Sequence, residues 1–135
     1  MSALRALIVE DDVVSRRMME KFLSPYLQCT VAVDGEMALD RFCEAYNNDN
    51  PFKLVCLDIN MPKKDGQEVL ADIRAFERDA QVAAEDQAKV IMTTSASDPK
   101  NVISSYERGN VCAYLVKPVS RERLLGELEK IGLMR

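Results

Sequence analysis

Histidine is missing from this 135-residue sequence, and its four cysteines, Cys29, Cys43, Cys56 and Cys112, lie far apart with no CxxC spacing. Those two absences exclude the common zinc patterns, which need closely spaced Cys and His ligands. Cys29, Cys56 and Cys112 fall in or beside apolar, strand-like runs, which reads as reduced, buried thiols of a cytosolic protein and not as a catalytic thiol. Long apolar runs are lacking too: nothing approaches the roughly 20 residues that a membrane span requires. The start of the chain passes through residues 6–9 directly into acid, unlike a signal peptide. A cytoplasmic location is expected, with no membrane partner. Extended basic stretches are equally scarce. The pairs Arg16/Arg17 and Lys63/Lys64 are too short to track a phosphate backbone and read as a solvated face, and the formal net charge of -4 argues against nucleic acid as a partner. There is no internal repeat, low-complexity tract or interdomain linker.

What is present is a 47% hydrophobic content in a length that suits one domain with a real core and leaves no room for a second. A single domain over 1–135 is expected, with no fused output domain. Short apolar runs alternate five times with helical periodicity, the mark of an α/β fold with a parallel sheet. The strands are expected over 6–9, 29–33, 54–57, 90–93 and 112–116. Runs such as LIV, LVCL and VIM are continuous instead of alternating, so both faces of the sheet should be covered by helices.

The first helix is marked by Val14, Met18 and Phe22, the second by Leu39, Phe42, Cys43 and Tyr46, and the third by Gly66, Val69, Leu70, Ile73 and Phe76. Leu124, Leu125, Leu128 and Ile131 mark the last, and each stripe is read as core. A further helix is punctuated by Asp98 as cap, Pro99 in the first turn and Gly109 at the end, with Val102, Ile103 and Tyr106 as its few apolar residues. The polar segment 78–89 lengthens the connection before the fourth strand and reads as a surface extension, continuing the helix or beyond it, and not as a lid.

In such a sheet every strand presents its C-terminal end on one edge, where ligands bind. The residues there are Glu10 and Asp11 after the first strand, Asp58 after the third, Ser95 after the fourth and Lys117 after the fifth. Asp58 stands out because it closes the apolar run Leu54, Val55, Cys56, Leu57, and a buried carboxylate needs compensation. Two carboxylates about 4 Å apart repel by about 4 kcal/mol at an effective dielectric of about 20, so three together would protonate unless a cation joins them. Mg²⁺, or Mn²⁺ in its place, suits oxygen ligands, and one Lys against three carboxylates leaves a charge that a divalent ion balances. With the metal bound, Asp58 is placed to attack phosphorus and form an aspartyl phosphate, while Lys117 and Ser95 serve the phosphoryl oxygens.

The segments LIVEDD with Arg16, LVCLDINMPKKDG, TTSAS and AYLVKP resemble the receiver domain of two-component response regulators, in the single-domain, chemotaxis-regulator-like form, over essentially the whole chain. The resemblance implies a flavodoxin-like (βα)5 fold with strand order 2-1-3-4-5 and a phosphoacceptor at Asp58. It selects Glu10/Asp11 as the acidic pair, leaving Asp12 peripheral, and implies a backbone carbonyl ligand to the metal from Asn60. Asp65/Gly66 are implied in the loop entering the third helix, and Ser95, followed by the small Ala96, replaces the more frequent Thr. A cis bond at Lys117–Pro118 is expected, since a nonproline cis bond would cost about 2.5–4 kcal/mol.

Tyr114 is implied as a switch residue that turns inward as Ser95 moves toward the phosphoryl group, changing the surface of the 98–109 helix, the fifth strand and the last helix. Its plainer reading is a half-buried strand aromatic. Lacking histidine, the chain cannot carry the phosphohistidine of a donor itself. A histidine kinase or phosphotransfer protein is therefore the expected donor, with a separate effector protein downstream. On this reading the chain is no enzyme beyond its own phosphoryl transfer and dephosphorylation. Three other readings stay open. A constitutive receiver-fold scaffold would share the site, and an aspartyl-nucleophile phosphatase would place a second Asp where Asn60 stands. A flavin carrier would need a phosphate cradle where this chain has GluAspAsp.

Overall fold

The computed structural model describes residues 4–61, 64–94 and 111–133. Five strands, β1 (Arg5–Val9), β2 (Gln28–Ala32), β3 (Leu54–Asp58), β4 (Lys89–Thr94) and β5 (Val111–Val116), form one sheet in the order β2-β1-β3-β4-β5. Every pairing is parallel. The described helices are α1 (Val13–Leu23), α2 (Gly35–Asn47), α3 (Gly66–Asp79) and α4 (Arg121–Lys130). The doubly wound, flavodoxin-like fold and its strand order match the expectation, and each expected strand is found, shifted by one residue or extended by one at one or both ends. The helix expected over 98–109, with Asp98, Pro99, Val102, Ile103, Tyr106 and Gly109, lies outside the described residues.

Strand geometry sends successive side chains to opposite faces, and two separate cores result. Leu7 and Val9 of β1 and Val55 and Leu57 of β3 join Ala38 and Phe42 of α2 and Val69 and Ile73 of α3. Ala6, Ile8, Leu54 and Cys56 face the other way, onto Met19 and Leu23 of α1 and Leu124 and Leu128 of α4. Cys56 is fully buried and its thiol is pushed up to about 12 by that burial, while Cys29 and Cys112 are half-buried; all four thiols are free. Among the described residues no helix is long and apolar enough to cross a membrane.

Each described helix starts from a short polar cap that accepts a main-chain hydrogen bond three residues on: Asp12 from Ser15, Asp34 from Met37, Asp65 from Glu68 and Ser120 from Arg123. Such caps satisfy donors that the helix leaves unpaired, each contributing about 1 kcal/mol.

Two expected helix faces need correction. In α1 the core residues are Met19 and Leu23, with Phe22 partly buried; Val14 is 62% and Met18 39% exposed. The expected stripe is rotated off the true one by about one position, because ValVal and MetMet offer apolar neighbours on both sides. In α2 the core side is carried by Ala38, Phe42 and Ala45, with Leu39, Cys43 and Tyr46 on its half-buried shoulders. Small alanines gave a weak signal beside larger neighbours. The α3 and α4 stripes hold, although Phe76 and Ile131 are only partly buried.

The 78–89 segment continues α3 only to Asp79. The chain then turns through Gln81 at φ 57 and a 3-10 turn over Ala84–Asp86. Its return is fastened by a buried ion pair: Arg74 donates to Glu77 at 2.7 Å and to the Ala88 carbonyl at 3.0 Å, while the Ala88 amide donates to Glu77 at 2.8 Å.

Gly66 opens α3, in the helix and not in the loop before it, and its amide donates to the Ile59 carbonyl at 3.0 Å. A Cβ there would lie 2.4 Å from the Asp58 carbonyl oxygen and 2.8 Å from the Ile59 Cα. Both are main-chain atoms, unable to step aside. Gly66→Ala is therefore expected to destabilise the fold by about 1–3 kcal/mol. The measurement is a urea titration, with a lowered midpoint at unchanged slope.

Candidate phosphoacceptor site

The sheet edge brings Glu10, Asp11, Asp58 and Lys117 together, as their positions after the strands imply. Asp58 is the last residue of β3, one step further inside the sheet than expected, and lies opposite Thr93 in the β3–β4 register. It is only 2% exposed, and Glu10 only 3%. One carboxylate oxygen from each of Glu10, Asp11 and Asp58 lies within 4.8 Å of the others. Asp11 is exposed.

The Lys117 ammonium meets this cluster, 2.5 Å from Glu10 Oε1 and 3.1 Å from Asp58 Oδ2. The Lys117–Pro118 bond is cis, as expected. Main-chain bonds from the end of β4 fix both partners: the Ile59 amide donates to the Thr93 carbonyl at 2.9 Å and the Lys117 amide to the Thr94 carbonyl at 2.8 Å. The role of Thr93 and Thr94 was not read from the sequence, although they directly precede Ser95. Ser95 itself lies outside the described residues.

Charge in this pocket is unbalanced. Burial, and then the neighbouring Asp58, push the Glu10 carboxyl above its usual range, although Lys117 and the Asp12 amide pull the other way. Burial is also the largest single influence on Lys117 and would lower it, but Glu10 and Asp58 together outweigh it and hold the ammonium above its usual value. A buried carboxyl whose charged form is disfavoured beside two further carboxylates is the chemistry of a site that can accept more positive charge. A divalent cation held by oxygen ligands fits that donor set.

Asn60 is exposed, and its main-chain N–H donates to Asp58 Oδ1 at 3.1 Å, steadying the carboxylate from the loop side. Asp12 stays peripheral as the cap of α1. Tyr114 is half-buried on β5 and packs against the α2–α3 core. Two members of the basic pairs, Arg16 and Lys64, are not simply solvated. Arg16 donates to the Glu10 and Asp11 carbonyls, and Lys64 forms an ion pair with Asp72.

Comparison with known proteins agrees with this arrangement. The response regulator receiver domain family matches residues 6–129. The chain is 32% identical to the chemotaxis protein CheY of Listeria monocytogenes, over 94% of its own length and 97% of that protein. It is 34% identical to the transcription factor prr1 of Schizosaccharomyces pombe, over 93% of its own length but 21% of that much longer protein. The chain thus spans about a fifth of that relative. Among solved structures, a chain of the CheX-CheY-BeF3-Mg²⁺ complex from Borrelia burgdorferi superposes with a TM-score of 0.78 at 28% identity, covering 97% of this chain and 90% of that one. With the 2-1-3-4-5 sheet, the acidic edge and a family match over nearly the full sequence in agreement, the chain belongs to the response regulator receiver domains of two-component signalling.

Proposed function

We propose that this receiver is a phosphorylation-driven switch with Asp58 as its phosphoacceptor. The observation that carries the reading is the buried Asp58 carboxylate, set within 4.8 Å of two further carboxylate donors and faced by the Lys117 ammonium. A histidine kinase or phosphotransfer protein is the donor: the Asp58 oxygen forms a bond to phosphorus as the bond from phosphorus to the donor's imidazole nitrogen breaks. Glu10, Asp11, Asp58 and the Asn60 carbonyl would hold Mg²⁺ or Mn²⁺, which when bound offsets the negative charge of the transferring phosphoryl group.

Lys117 contributes a charge-assisted hydrogen bond that moves from the free carboxylate to a phosphoryl oxygen, and the Ser95 hydroxyl supplies a second. Shifting a population from 1:99 to 99:1 takes about 5.5 kcal/mol. Two such bonds at about 1.5–3 kcal/mol each nearly supply it. The shift would then pass through Ser95 and Tyr114 to the surface around β5 and α4, where a separate effector binds. The reading finds support in the Borrelia burgdorferi CheX-CheY complex with BeF3 and Mg²⁺, one chain of which this protein resembles.

The test is incubation with Mg²⁺ and a small phosphodonor, followed by intact mass. Wild type is expected to gain one phosphoryl group and Asp58→Ala none. An equal gain in both would remove Asp58 from the role, and no gain in wild type would leave the constitutive scaffold as the reading.

A further inference from the structure

We propose that Arg16 is a positioning residue for the metal-binding carboxylates, an inference that rests on the reading of Glu10, Asp11 and Asp58 as the cation site. Arg16 stands in the first turns of α1 and reaches back over the loop it has just left. A single guanidinium nitrogen, Nη1, donates to the Glu10 carbonyl at 3.1 Å and to the Asp11 carbonyl at 3.3 Å.

On charge alone the placement is poor. A permanent cation near a helix N-terminus opposes the helix dipole, and beside an acidic cluster it competes with any metal that the cluster would bind. Geometry accounts for it. The two carbonyls belong to the two residues whose side chains lead into the cluster from α1's side. Glu10 is already fixed from β2, its amide donating to the Ala32 carbonyl at 3.0 Å. Asp11 is exposed, so little packing holds its carboxylate in place. Arg16 ties both peptide units to the helix and so sets where the two carboxylates start from. Groups that orient metal ligands in this way typically govern affinity by about 10- to 100-fold.

The sign of the effect separates this role from simple electrostatics. Removing a cation from beside the cluster should tighten a divalent ion, whereas releasing the loop should loosen it. Calorimetric titration of the full chain with Mg²⁺ alone is the experiment, with urea unfolding to confirm that each variant is folded. Arg16→Met is expected to weaken Mg²⁺ about tenfold despite the lost charge, and Arg16→Lys, which keeps a donor in reach, to recover most of the loss. Should Arg16→Met not fold, Arg16→Gln takes its place with the same expected weakening. Unchanged or tighter Mg²⁺ binding in the neutral variant overturns the role of Arg16 while leaving the site reading intact. A wild type that binds no Mg²⁺ overturns both.

Discussion

Glu77→Ala is expected to destabilise the protein by about 3–5 kcal/mol, because it strips one partner from a buried ion pair and leaves the other charge in place. Glu77 is 2% exposed, and both of its oxygens are engaged, Oε1 by Arg74 and Oε2 by the Ala88 amide. Truncation removes both bonds at once and takes the Glu77 carboxylate away from the Arg74 guanidinium, which keeps its bond to the Ala88 carbonyl, in a site that is 8% exposed. Nothing in this depends on phosphorylation, so the effect should be equal with and without a phosphodonor. Urea unfolding monitored by circular dichroism would measure it. The double variant Arg74→Met/Glu77→Leu should cost less than Glu77→Ala alone, since apolar replacement of a whole buried pair is often neutral. A double variant less stable than the single would mean that the bonds Arg74 keeps after Glu77 is lost, that to the Ala88 carbonyl among them, outweigh the cost of its uncompensated charge.

Lys117→Met is expected to lower the rate of Asp58 phosphorylation by about 10²–10³, the usual loss when one preorganised donor is taken from an oxyanion. The same change should tighten Mg²⁺. Among the described residues Lys117 is the ammonium in contact with both Glu10 and Asp58, and on the proposed reading a bound metal would face the cluster's negative charge without that competitor. A slower transfer combined with a tighter metal is a signature that misfolding would not produce. Phosphodonor kinetics at saturating Mg²⁺, beside a Mg²⁺ titration, separates the two. If rate and affinity fall together, Lys117 is holding the site's shape instead of serving the phosphoryl group.

Much of this was legible in the order of residues along the chain. Strands buried on both faces announce themselves as unbroken apolar runs, and a charged residue closing such a run, as Asp58 does after Leu57, marks the sheet edge at once. Parallel topology then forces the other strand ends to the same place, which is why Glu10, Asp11 and Lys117 could be named without coordinates. Helix faces were less legible. In α1 a stripe through Val14 and Met18 and one through Met19 and Leu23 differ by a small rotation, and only packing decides between them. Arg74 and Glu77 carried no sequence signal beyond opposite charges three apart, which on most helices face water. The hold of Arg16 on the Glu10 and Asp11 carbonyls was likewise invisible, since main-chain acceptors leave no trace in residue identity.

The row of helix caps has a consequence in electric terms. All four described helices follow strands and therefore begin at the edge of the sheet that carries Asp58. Each helix start carries about half a positive charge from its aligned peptide dipoles. The main chain thus lays a positive field along the same edge that Glu10, Asp11, Asp58 and the capping Asp12, Asp34 and Asp65 make negative with their side chains. Backbone and side chains therefore act in opposite senses on any ion that arrives at that edge.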